Sequence, residues 1–117
     1  MLNHVCEGKV LKYENATGKA IPSGEPVVIG ALFGLAVREI PDGGSGSVAI
    51  SEVFEVRKAA GAVPQGAKLY WDADGSPVSG AAGSGALTTT ATDNLAAGAA
   101  FTGAADSAPT VQIKLNV

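Results

Sequence analysis

Gly and Pro cut this 117-residue chain into short pieces, and that punctuation limits its fold more than any other feature. Pieces of this length suit strands and turns better than long helices. The spacer Pro-x-Gly recurs at Pro22-Ser23-Gly24, Pro41-Asp42-Gly43 and Pro64-Gln65-Gly66. Pro at the second turn position has its φ preset, and Gly at the fourth suits a type I turn. An apolar run follows each turn: Pro26-Val27-Val28-Ile29, Val48-Ala49-Ile50 and Leu69-Tyr70-Trp71. These runs are expected to begin strands.

The last segment carries the clearest periodicity. In Thr110–Val117 the apolar residues fall at every second position. Alternation of this kind places Val111, Ile113, Leu115 and Val117 on a buried face, with Gln112, Lys114 and Asn116 in water. Val53–Arg57 repeats the pattern, with Phe54 and Val56 inward and Glu55 and Arg57 outward. Val10–Tyr13 and Leu35–Arg38 also read as strands. Arg57–Val63 has room for one helical turn before Gly61. Asp93–Phe101 offers an N-cap and alanines, yet Gly98 and the lack of an apolar stripe favour a strand. Gly44-Ser45-Gly46-Ser47 reads as a flexible hairpin tip. The small residues of 76–91 predict a flexible loop, with Ser79–Gly85 its mobile surface part. The expectation is an all-β single domain over residues 1–117, with short strands, one Gly/Ala-rich loop and almost no helix.

Charge excludes one class of partner. Eight Lys and Arg face eleven Asp and Glu, for a net charge of −3, and the basic residues are scattered. Nucleic-acid binding requires them clustered. A single Cys allows no intrachain disulfide. Met1–Glu7 lacks the basic and apolar regions of a signal peptide, and no apolar run reaches membrane-spanning length. A soluble protein made in the cytoplasm is expected. Hydrophobic residues make up 46% of the chain, but much of this is Ala and only 5% is aromatic. The core is therefore thin, and neighbours are expected to complete its stability.

Candidate chemistry is sparse. His4 and Cys6 beside Glu7 form a possible metal trio, but no second ligand cluster accompanies them. His4 has no nucleophile elbow near it, since Gly44-Ser45-Gly46-Ser47 does not match that motif. Asp72-Ala73-Asp74-Gly75 resembles the opening of a calcium loop, yet the closing Glu position is Gly83, so a turn is the better reading. Glu39, Glu52, Glu55 and Asp106 read as solvated carboxylates. Gly18-Lys19-Ala20 fails as a phosphate loop at its third residue. Asn15-Ala16-Thr17 matches a glycosylation sequon, which has no meaning without secretion. The expectation is no catalytic, metal or cofactor-binding residue, no cofactor and no enzyme activity. Tyr70 and Trp71 are adjacent and point to opposite faces of a strand, so one can fill the core while the other anchors a contact.

The run Ser23-Gly24-Glu25-Pro26-Val27-Val28-Ile29-Gly30, then Leu32-Phe33-Gly34-Leu35-Ala36-Val37, resembles the start of a family of small tailed-bacteriophage capsid proteins. These are the decoration or cement proteins, long known as a domain of unknown function. The resemblance continues through Gly46–Val56, Lys58–Gly61, Gln65–Asp72 and Val111–Asn116, and so covers most of the chain in order. Ser76–Ala91 departs from it, being longer and richer in Gly and Ala. The resemblance implies a β-barrel or jelly-roll-like sandwich on the outer surface of a virion capsid. It further implies binding to the major capsid protein as a dimer or trimer that stabilises the shell, with no nucleic-acid or membrane partner. An extended N-terminal arm, residues 1–7, is expected to add a strand to a capsid subunit or sister copy. The candidate interface residues are Leu2, Val5, Val10, Tyr70 and Trp71. The alternative is a small β-sandwich module of a phage particle that attaches to host-surface glycans.

Overall fold

A computed structural model describes residues 9–117, and among them there are nine strands and no helix. The strands are β1 (Val10–Glu14), β2 (Pro26–Ile29), β3 (Leu32–Ala36), β4 (Ser45–Ala49), β5 (Val53–Arg57), β6 (Lys68–Asp72), β7 (Ala86–Thr88), β8 (Leu95–Ala100) and β9 (Thr110–Leu115). They form a four-stranded sheet of order β1-β4-β3-β2 and a five-stranded sheet of order β5-β9-β8-β6-β7. The ladders are antiparallel. Neither sheet closes into a barrel, so the all-β expectation holds and its barrel form does not.

The chain forms two compact units. The first comprises the described residues up to Val27 together with Gly34–Ser51, and the second Val28–Phe33 together with Glu52–Val117. The first is cored by Ile21, Val27, Leu35, Ile40 and Val48. At its centre Asn15 is buried, and its amide donates to the carbonyls of Lys19 (2.7 Å) and Ile40 (3.0 Å). Its Oδ1 accepts from the Thr17 amide (3.0 Å) and hydroxyl (2.6 Å). The would-be glycosylation residue is thus a buried polar staple that ties the Lys19 backbone to the Ile40 backbone, which also pairs with Ile21.

In the second unit, alternation in β9 buries Val111, Ile113 and Leu115, as the period-two pattern predicts. Val117 departs from it and is 53% exposed. The strand ends at Leu115 because Asn116 takes a left-handed φ of 55°, which breaks the alternation. Instead of facing water, the Asn116 side chain pairs with Phe33, donating to its carbonyl (2.8 Å) and accepting from its amide (3.0 Å). Asp93–Phe101 contains β8, as expected. Gly98 lies there because a Cβ would stand 2.0 Å from the Lys114 carbonyl oxygen of the paired strand.

Other expectations are corrected. All three Pro-x-Gly turns are displaced by one residue. The Pro carbonyl itself accepts from the residue after Gly, namely Glu25 (3.2 Å), Gly44 (2.9 Å) and Ala67 (3.1 Å). Pro therefore occupies the first position and Gly the third, with φ of 80°, 76° and 83°. That left-handed third position belongs to a type II turn rather than type I. Gly44–Ser47 is no loose tip, since Ser45 opens β4 and Gly46 pairs with Tyr13. A Cβ on Gly46 would approach Ile40 to 2.7 Å, so Gly is there for space within a strand. Arg57–Val63 holds no helical turn: Arg57 ends β5, and Lys58, Ala59 and Val63 form isolated β-bridges. The 76–91 segment is not loop throughout, because Ala86–Thr88 is a strand with Ala86 and Leu87 buried.

Two substitutions test this framework by urea denaturation. Asn15→Ala removes the buried bonds to Lys19 and Ile40 and the acceptor of the Thr17 amide, and is expected to remove about 3 kcal/mol of stability. Gly98→Ala forces β8 and β9 apart and is expected to cost ~4 kcal/mol or more, an effect seen only with backbone clashes or core disruption. A loss below ~1 kcal/mol in either variant contradicts the corresponding contact.

Candidate functional site

Adjacent residues of β6 divide between core and surface. Trp71 is 8% exposed, and its ring lies 5.4 Å from that of Phe33 at a 41° tilt. The guanidinium of Arg57 stacks over the same ring at 5.2 Å. Arg57 also donates from Nε to Gly85 O (2.8 Å) and from Nη2 to Ser84 O (2.9 Å). Trp71 thus gives most of its surface to its own unit. Tyr70 is half-buried and Val10 is 47% exposed. Leu2 and Val5, with the arm 1–7 and the His4, Cys6 and Glu7 trio, lie outside the described residues.

Sequence reasoning missed Lys58. It is fully buried, and its Nζ donates to the carbonyls of Ala59 (2.9 Å) and Asp106 (3.2 Å). The signal was present in the alternation of β5: with Val56 inward and Arg57 outward, the next residue turns inward. Its backbone also joins the sheet edges. Lys58 bridges Leu87, and the Ala59 amide donates to Leu87 O at 2.9 Å.

Asp72–Gly75 folds as a turn. The Gly75 amide donates to Asp72 O (3.0 Å), and the Asp74 amide donates to the Asp72 carboxylate (3.2 Å). One Asp72 oxygen is therefore engaged in local turn chemistry. Among the described residues, no three His, Cys, Asp or Glu side chains group together in a way that could hold a metal ion. Glu55, placed at a solvated edge by its sequence, accepts from the Thr110 hydroxyl at 2.9 Å across the β5–β9 pair.

What remains is surface. On the solvent face of the five-stranded sheet, Val53 pairs with Lys114, Lys114 with Ala99, and Ala99 with Lys68. The next row holds Glu55 and Gln112, and the Phe101 amide continues it by donating to Gln112 O at 2.8 Å. Phe101 is 52% exposed. This face offers the exposed Phe101 and half-buried Tyr70, a small-residue centre at Ala99, and two flanking lysines about 10 Å apart by strand spacing. It is an open sheet face, without the convergent polar groups of a small-molecule site.

A family model described as phage cement protein matches residues 5–115. The chain belongs to the phage cement protein family. No curated protein and no solved structure matches it significantly. Cement proteins decorate and stabilise the capsid, so this is a structural protein of the virion's capsid surface rather than an enzyme. An open sheet face without a reactive pocket suits that role. A glycan-binding platform wants several exposed aromatic rings, whereas Trp71 is buried, Tyr13 and Tyr70 are half-buried, and Phe101 alone of these four is exposed.

The division within β6 is measurable. Trp71→Ala is expected to cost ~3–5 kcal/mol of stability through the cavity it leaves. Tyr70→Ala, on the partly exposed side, is expected to cost less than about half as much. Equal losses in thermal or urea unfolding contradict the assignment of Trp71 to the core.

Proposed function

We propose that this cement protein grips the major capsid protein through the solvent face of its five-stranded sheet, acting as a small homo-oligomer. The observation that carries this reading is Phe101, an exposed aromatic ring on a face that also carries Val53, Ala99, Tyr70 and two lysines. Aromatic side chains are enriched among the few residues that dominate binding energy. The lysines on either side give the face a local positive character, although the chain carries a net charge of −3. An acidic rim on the capsid subunit would complement it. Each contact can be modest, because repetition over a lattice supplies a high effective concentration.

The N-terminal segment supplies the second attachment in this reading. Leu2 and Val5, with Val10 at the start of β1, act as its apolar anchors on a capsid subunit. Tyr70 contributes its partly exposed edge to the same binding event.

Binding to expanded empty shells, read as copies retained after sedimentation, tests both parts. Phe101→Asp is expected to leave the melting temperature nearly unchanged and to weaken shell binding by roughly thirtyfold, the effect of losing one hot-spot residue. Deleting residues 1–7 is expected to lower occupancy further. Unchanged occupancy in the first variant removes the sheet face from the contact; unchanged occupancy in the second removes the arm.

A further inference from the structure

The edge of the four-stranded sheet carries a self-complementary pattern. β1 is an outermost strand of that sheet, paired on one side with β4. The Ile50 amide donates to Lys9 O (2.9 Å), and the Asn15 amide donates to Gly44 O (2.8 Å). Both pairs extend the β1–β4 register, in which Val10 faces Ala49 and Glu14 faces Ser45. Hydrogen-bonded pairs alternate in an antiparallel ladder, so Leu11 and Tyr13 also turn their backbone groups toward β4. Val10, Lys12 and Glu14 then direct their N–H and C=O groups away from the sheet. The side chains of these same three residues are exposed, whereas Leu11 and Tyr13 are half-buried.

We infer that β1 pairs with β1 of a second copy, antiparallel about a two-fold axis at Tyr13. This deepens, and rests on, the reading that the protein acts as a small homo-oligomer. Charge selects the register. Centring the axis on Lys12 sets Lys12 against Lys12, and like charges directly opposite are destabilising. Centring it on Leu11 sets Lys12 against Val10 and leaves Glu14 without a cation. Centring it on Tyr13 sets Lys12 opposite Glu14 twice. Those residues own the outward-facing backbone groups, so the same register makes two hydrogen-bonded pairs with four backbone bonds. A lysine on an open edge ordinarily discourages strand addition. Here it discourages every register but the one that meets a carboxylate. Two four-stranded sheets joined in this way form one continuous eight-stranded sheet across the axis.

Sedimentation equilibrium of the full chain tests the pairing. The wild type is expected to dimerise. Lys12→Glu sets carboxylates opposite Glu14 and is expected to raise the dissociation constant by about tenfold or more, from two reversed cross-strand pairs. Glu14→Lys is expected to do the same, and the double swap Lys12→Glu/Glu14→Lys to restore the wild-type value. Both positions lie on an exposed strand face, and unchanged circular dichroism confirms folding. In a Cys6→Ser background, Tyr13→Cys is expected to form an interchain disulfide on oxidation. The two positions face each other across the axis at ~4.5 Å between Cα atoms, while Lys12→Cys is offset and is expected not to link. A monomeric wild type, or a double swap that fails to rescue, overturns the proposal. Shell binding is read separately: shells occupied by a chain that stays monomeric overturn the two-fold contact and leave capsid decoration standing.

Discussion

The guanidinium of Arg57 ties β5 to β6 and to the backbone that leads into β7 within the second unit. It stacks on Trp71, which packs against Phe33, and its nitrogens take up the carbonyls of Ser84 and Gly85. In a chain whose aromatic content is 5%, few side chains can bury much area. One aromatic pair capped by a cation therefore joins the aliphatic core of Leu69, Leu87, Val111, Ile113 and Leu115, an arrangement that gains from both area burial and cation–π attraction. The Gly/Ala-rich stretch leading into β7 is held by that cap together with the Ser76 hydroxyl, which accepts from the Gly83 amide, and the bond from the Gly85 amide to Gly75 O. Lys58, next in sequence, performs the complementary task by bridging β5 to Leu87 and closing the polar ends of the 59 and 106 backbones.

Much of this was legible from residue order, and the failures have physical causes. The alternation in β9 and β5 identified inward faces because one side of each strand is buried. Asn116 escaped that logic because a single left-handed residue flips the phase, and its amide then mimics a strand partner for Phe33. The Pro-x-Gly spacers announced turns correctly, but the motif does not reveal which residue begins the turn, and Gly at φ near 80° decided it. The buried Lys58 was hidden by the habit of placing lysine in water, although neutral carbonyls suffice to engage its ammonium. The 76–91 composition gave no sign of β7, since a stretch of small residues reports its own weak preference and not the Arg57 contact that helps to hold it. Among the proposed contact residues, nothing in the sequence distinguished Trp71 from Tyr70. Their opposite orientation was clear, but which one faced the core depended on Phe33, distant in sequence.

Membership of the cement family gives these features a common purpose. A capsid-surface protein needs a framework that survives repeated contacts, together with surfaces left available for neighbours. The five-stranded sheet ties its two edges through Lys58 and Ala59, which removes part of the aggregation hazard of open strands. Polar staples such as Asn15 order loops without large side chains. Small residues also allow strands to approach closely, as Gly98 does against Lys114 and Gly46 against Ile40. A composition poor in large side chains is thus consistent with a thin, tightly hydrogen-bonded framework.

The central claim, that the protein reinforces the shell it decorates, is tested most directly by heating virions with and without it while following genome release with a DNA-binding dye. The account predicts release at a lower temperature from particles lacking the protein, and recovery of the original temperature when purified protein is added back. Identical release curves for bare, decorated and re-decorated particles would contradict it.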